Sequence, residues 1–234
     1  MNTYILGDTH ANWSSINTFI NRKKPDIIIQ TGDFGWWPHM HGKPWGYRGK
    51  PFDQYGIKNG NTKIYWCDGN HENHEDLNHL VDQHGWENPI EVMPNVFYMP
   101  RGSILNIEGV KFLFFGGADS IDKQHRTQGV SWWPEENIRY QDLNRIDGKE
   151  ADVVISHVCP EYFGYRPDCI DINKKALNTV YDIIKPKFWF FGHFHDKYPR
   201  QDGKFEEYKG CKWRCLNMEW DDGWYHRWEK EKNI

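Results

Sequence analysis

The sequence predicts an α/β fold in which two packed β-sheets are flanked by helices. Two observations carry that expectation. Early in the chain, and again near residue 185, short apolar runs alternate with stretches of helical periodicity, the pattern of strands joined by helical crossovers. Elsewhere apolar runs follow one another with only turns between them, which calls for consecutive strands.

The elements follow in order. Residues 3–6 form the first strand, and 12–21 a helix with Trp13, Ile16, Phe19 and Ile20 on one face. Residues 26–30 and 63–67 are buried strands. The segment between them, 36–62, is rich in Trp, Gly, Pro and His and reads as a long loop, which in a compact domain is usually functional. A second helix has Asn73 as its N-cap, Glu75 and Asp76 in its first turn and Gly85 at its end. Residues 96–99, 103–107 and 110–115 are strands, the last two joined by a hairpin turn at Glu108-Gly109. After a strand at 153–156, residues 173–184 form a helix with Ala176, Leu177, Val180, Ile183 and Ile184 as its apolar face. That helix stops before Pro186. Strands at 188–191, 213–218 and 224–228 complete the chain. Nothing in the composition marks a linker, so residues 1–234 are read as one domain.

Composition narrows the function. The formal charge of 29 − 33 = −4 argues against tight binding to long nucleic acid, though not against a nucleotide. The five cysteines, Cys67, Cys159, Cys169, Cys211 and Cys215, are odd in number and irregularly spaced, which does not suggest a disulfide framework. Cys211 and Cys215 form a CxxxC pair, the one opening for a zinc site built on thiolates. Tyr4-Ile5-Leu6 is too short for a signal peptide, and no run approaches the roughly 20 apolar residues of a membrane span. A cytoplasmic protein without a membrane partner is the expectation.

The chemistry lies in five polar clusters, each directly after an apolar strand: Asp8/His10, Asp33, Asn70/His71, His157 and His193/His195. Ligand sites of α/β sheets gather at the carboxyl ends of strands, so clusters far apart in sequence should converge. All but His157 follow a glycine, which permits a sharp turn out of the strand. In Asp8-x-His10 and His193-x-His195, extended backbone would point both side chains the same way. Carboxylate, imidazole and amide oxygen together favour manganese, iron, zinc, nickel or cobalt over calcium. Seven donors suffice for two divalent ions if one carboxylate bridges.

In order, Gly7-Asp8-Thr9-His10, Gly32-Asp33, Gly69-Asn70-His71-Glu72, His157 and Gly192-His193-Phe194-His195 resemble the motif set of the calcineurin-like metallophosphoesterases. The resemblance spans residues 7–195 and implies a four-layer α/β/β/α sandwich of two mixed sheets. It also implies that Asp8, His10 and His195 bind one metal, that Asn70, His157 and His193 bind the second, and that Asp33 bridges both. His71 would then protonate the leaving oxygen, and a hydroxide bridging two ions, manganese first among them, would be the nucleophile. The implied activity is hydrolysis of a phosphodiester or phosphomonoester, on a small or nucleotide-like substrate.

The sequence departs from the protein Ser/Thr phosphatase branch. That branch continues its bridging aspartate as GDxxDRG, whereas this chain has Gly32-Asp33-Phe34-Gly35-Trp36-Trp37. It also has Asp68 where an arginine precedes GNHE. Those arginines clamp phosphate, so a phosphoprotein phosphatase is the alternative, and a non-catalytic scaffold on the same fold the remaining one. Asp68 and Glu72 are the candidates to orient His71. In the polar segment 116–126, Arg126 or Lys123 is the candidate phosphate contact. Trp36-Trp37 and Trp132-Trp133 are candidates to wall the pocket or stack on a base.

Overall fold

The computed structural model describes residues 1–37, 56–195 and 204–229. The middle of the long loop expected over 36–62 lies outside the described residues. The chain runs β1 (Thr3–Leu6), α1 (Trp13–Lys23), β2 (Ile27–Gln30), β3 (Lys63–Trp66), α2 (His74–His84), β4 (Ile90–Met93) and β5 (Val96–Tyr98). It continues with β6 (Ile104–Ile107), β7 (Val110–Phe115), α3 (Tyr140–Asn144), β8 (Val153–Ser156), α4 (Ile172–Ile184) and β9 (Phe188–Phe191). It ends with β10 (Glu206–Tyr208), β11 (Cys211–Cys215) and β12 (Tyr225–Trp228).

Two mixed six-stranded sheets result, ordered β12-β1-β2-β3-β5-β4 and β10-β11-β9-β8-β7-β6. In each, four parallel strands are flanked on both edges by an antiparallel one. The central strands are apolar on both faces, and their alternation sorts side chains into separate cores. Ile5, Ile29, Phe112, Phe114, Ile155 and Phe190 meet between the sheets. Leu6, Ile28 and Trp66 turn outward onto Trp13, Ile16 and Phe19 of α1 and Leu77 of α2. Val154, Trp189 and Phe191 turn the other way onto Leu177, Val180 and Ile184 of α4. Three apolar interfaces make four layers, the α/β/β/α sandwich expected.

The end signals also hold. Asn73 caps α2 by accepting from the Asp76 N–H at 3.2 Å, and Glu108 and Gly109, both at positive φ, make the two-residue turn of the β6–β7 hairpin. Ile183 on α4 is exposed, and Tyr181 takes its place in the stripe. Three elements lacked a sequence signal. β4 is a four-residue edge strand whose apolar Ile90, Val92 and Met93 are broken by Glu91, β10 is a three-residue edge strand with two glutamates, and α3 is a single short helix whose only buried residue is Asp142. Cys211 and Cys215 face the apolar core beneath α4, so the thiolate zinc reading finds no support. Among the described residues no helix is long and apolar enough to cross a membrane.

Arg101, just past β5, fastens the site end of the sandwich. Its buried guanidinium donates to Asp68 at 2.9 and 2.6 Å and to Asp142 at 3.2 Å. It also donates to the carbonyls of Glu135, Glu136 and Asn137 at 3.1, 2.9 and 2.7 Å. Removing one partner of such a cluster leaves buried carboxylates uncompensated. Arg101→Leu is expected to cost about 3–5 kcal/mol, read as a lowered urea midpoint; an unchanged midpoint would contradict this role.

Candidate metal centre

All five polar clusters converge at the carboxyl ends of β1, β2, β3, β8 and β9, along the seam where the two sheets meet. They form two adjoining groups. In the first, Asp8, His10, Asp33 and His195 each offer a donor atom, all lying within 4.8 Å of one another. The His195 Nε2 sits 2.6 Å from Asp8 Oδ2 and 3.0 Å from His10 Nε2. In the second, His157 Nε2 lies 3.3 Å from Asp33 Oδ1 and 3.3 Å from His193 Nδ1. His193 Nδ1 is in turn 3.2 Å from the Asn70 Oδ1. Asp33 belongs to both, with Oδ2 3.6 Å from His10 Nδ1 and Oδ1 toward His157.

The backbone that achieves this is not the extended one expected. His10, Asp33, His193 and His195 all have positive φ, between 44° and 71°, a region that residues with a Cβ rarely adopt. That twist separates the His-x-His pair, sending His195 to the first group and His193 to the second. Two of the glycines serve close approach rather than turning: a Cβ on Gly69 would collide with the Asp33 backbone and carboxylate, and one on Gly192 with the Asp8 carboxylate. The loops are also stitched together. Thr9 and His10 N–H groups donate to the Asp33 carbonyl at 3.2 and 2.8 Å, the His193 N–H to Asp8 Oδ2 at 3.0 Å, and the His71 N–H to Asp33 Oδ1 at 2.9 Å.

The donor chemistry fits divalent cations. His157 Nδ1 donates to the Thr31 carbonyl at 2.9 Å, which fixes the tautomer and turns the Nε2 lone pair to the Asp33 carboxylate. In the second group acceptors thus face acceptors, an arrangement that calls for positive charge between them; in the first, His195 Nε2 faces the Asp8 carboxylate. Without metal, positive charge is favoured on His157 and, against burial and through Asp8, on His195. Burial opposes protonation of His157, but Asp33 and Asp8 push it up to about 10. Burial pushes His10 down to about 4 and His193 down to about 3. Asp33 is held well below the usual carboxylate range, against its own burial, by His157, His71 and His10.

His71 sits on the rim, its ring 4.9 Å from that of His10. Neither carboxylate expected to orient it does so. Asp68 is taken by Arg101 and by the Tyr98 hydroxyl at 3.2 Å, and Glu72 accepts the N–H groups of Gly35 and Gly69 at 3.0 and 2.7 Å. What stands beside His71 is Arg126, with Nη2 3.2 Å from its Nε2 and its own Nε held by Asp122 at 2.9 Å. Lys123 instead pairs with Asp119 at 2.7 Å. Trp36 is buried against Trp66. Half-buried Trp37 donates to the His71 carbonyl at 2.9 Å and packs on Trp133, ring centroids 5.3 Å apart. Sequence reasoning missed Arg101. It also missed Ser120, whose hydroxyl accepts from the Asn70 amide at 3.1 Å, and Glu136, whose carboxylate accepts from that hydroxyl at 2.7 Å. Ser120 lay within the polar segment already marked, but Glu136 carried no signal at all.

The model of the family described as calcineurin-like phosphoesterase matches residues 1–197, and the chain belongs to that family. Curated relatives include the lariat debranching enzyme of Schizosaccharomyces pombe, 24 % identical over 232 positions, covering 85 % of this chain and 49 % of that protein. The lariat debranching enzyme of Entamoeba histolytica is 24 % identical over 204 positions, covering 77 % of this chain and 51 % of that protein. The chain spans about half the length of these relatives. A solved structure described as a novel archaeal phosphodiesterase covers 93 % of this chain and 84 % of its own at 14 % identity. Its TM-score of 0.39 is too low to bear on function.

The titrations set a pH profile for the metal-free chain. His157, raised to about 10, contributes stability that is present below its unfolded value of about 6.5 and lost as pH rises through 10. His10 and His193, lowered to about 4 and about 3, contribute stability present above about 6.5 and lost as pH falls. The Tm of chelator-treated protein is therefore expected to peak near pH ~6.5 and to fall on both sides; a flat profile would show that these groups do not govern it.

Proposed function

We propose that the chain is a phosphodiesterase working through a dinuclear metal centre on a nucleotide-like ester. The observation that carries this is the meeting of two donor groups at one carboxylate, with an Asp33 oxygen turned to each. Asp8, His10 and His195 would hold one ion, Asn70, His157 and His193 the other, and Asp33 would serve both. The mixed oxygen and nitrogen set suits manganese, with iron, zinc, nickel or cobalt as further fits. When bound, such ions polarise the phosphoryl oxygens and acidify a water.

The chain's own residues do the rest. Arg126 draws the phosphate to the rim beside His71 and neutralises its charge. His71 donates the proton to the leaving oxygen. Burial, with Arg126 behind it, holds His71 below its usual pKa, and an anionic ester brought in at Arg126 offsets that effect. Half-buried Trp37, anchored to the His71 carbonyl, offers a face to a base. The similarity to lariat debranching enzymes favours a diester over a monoester and a nucleic-acid-derived substrate over a phosphoprotein.

The direct test is manganese-dependent hydrolysis of bis(p-nitrophenyl) phosphate against p-nitrophenyl phosphate. Turnover of the diester that Asp33→Asn abolishes supports the reading, and a preference for the monoester contradicts it. His71→Ala is expected to retain metal while slowing esters with poor leaving groups by roughly 10²–10⁴-fold; loss of metal would show His71 to be a ligand instead. Arg126→Ala should lower kcat/KM for every ester cleaved, and unchanged values would remove it from the site.

A further inference from the structure

Asn70 is an ambiguous ligand, because only one end of a carboxamide carries lone pairs for a cation. Its Nδ2 lies 3.1 Å from the Ser120 Oγ, and that hydroxyl lies 2.7 Å from the Glu136 Oε2. All three residues are buried, Glu136 completely. The other Glu136 oxygen, Oε1, accepts two N–H groups, from the Ser120 backbone at 2.7 Å and the Trp132 indole at 2.8 Å. Neither of those donors can reverse its sense. Arg101 holds the Glu136 carbonyl at 2.9 Å, so the carboxylate stands on a fixed segment.

The direction of the chain of bonds follows. Burial raises the Glu136 carboxyl, but the hydrogen bonds it accepts from the Ser120 N–H, the Ser120 hydroxyl and the Trp132 indole favour its ionised form. An ionised carboxylate only accepts, so the Ser120 hydrogen points to Glu136 and the hydroxyl lone pair faces Asn70. Only the amide NH₂ can meet that lone pair. The Asn70 oxygen is thereby turned away from Ser120 and toward His193 Nδ1, 3.2 Å away. We propose that Ser120 and Glu136 are positioning residues that set the polarity of the Asn70 amide, so that its oxygen rather than its nitrogen faces the second ion. The inference rests on the dinuclear reading above.

Glu136→Gln tests it with almost no change of volume. The two N–H donors require the glutamine oxygen at the Oε1 position, which places its NH₂ against Ser120 Oγ. The Ser120 hydrogen must then turn to residue 70, and Asn70 must present its nitrogen to the ion. An aspartate at 70 has no polarity to lose, since one oxygen accepts from Ser120 and the other faces the ion. Calorimetric titration of the metal-free chain with Mn²⁺ reads the result, with Tm in chelator as the check on folding. Glu136→Gln is expected to weaken the second Mn²⁺ site roughly 10–100-fold while leaving the first site and the metal-free Tm in place. Adding Asn70→Asp to Glu136→Gln should restore the second site, although Asn70→Asp alone weakens it by setting an oxygen against the Ser120 lone pair. A purely structural Glu136 predicts additive losses in the double variant, and additivity overturns the proposal. So does a Glu136→Gln chain that binds two ions as the parent does. A parent chain that binds only one ion overturns the dinuclear reading, and this inference with it.

Discussion

Seven side chains rich in lone pairs, from both sheets, are held facing one another at a buried seam, and the site end of the structure depends on sustaining that arrangement. Asp33 is its centre. One of its oxygens faces the Asp8/His10/His195 group and the other faces His157, while its backbone carbonyl receives two N–H groups from the loop after β1. Asp8 has a similar double duty, since its carboxylate accepts the His193 N–H while sitting against His195. Charge demand and loop geometry are thus the same problem. The carboxylates that would attract cations also tie together loops that no single sheet connects.

The cost is carried locally and offset elsewhere. Four of the converging residues adopt left-handed backbone, each an expense of order 1–3 kcal/mol. Gly69 and Gly192 leave no room for a side chain where the loops touch. Against this stand three apolar interfaces with large, wholly buried aromatics such as Trp13, Trp66 and Trp189. The Arg101 cluster and the Glu72 carboxylate bind loop backbone directly, so the strained segments are pinned by polar contacts as well as by packing.

Much of this was legible in the chain. The central strands are runs such as Ile27–Gln30 and Phe188–Phe191, apolar on both faces, and their shortness and their β-branched or aromatic residues suit a covered strand. The helices announced themselves by period and cap. What escaped were β4, β10 and α3, where a short stretch pairing at an edge or a single buried carboxylate stands in for a longer apolar pattern. At the site, the clusters after the strands were readable, but the backbone reason for their convergence was not. Spacing of two suggested extended pairs, whereas positive φ divides His193 from His195.

The sequence by itself determined the fold class, the layered order of strands and helices, and the set of side chains gathered at the strand ends. Those follow from local period and from residue type. Only the tertiary structure decided what each polar group faces. Asp68 and Glu72 flank the Asn70/His71 cluster after β3 and seemed available to His71, yet Arg101, Tyr98 and two backbone N–H groups claim them. Arg126 reaches His71 from 55 residues away, and Ser120 and Glu136 reach Asn70 from another loop. Hydrogen bonds and ion pairs are short-ranged and directional, so their partners are chosen by which loops the packed sheets bring together, and that choice has no signature along the chain.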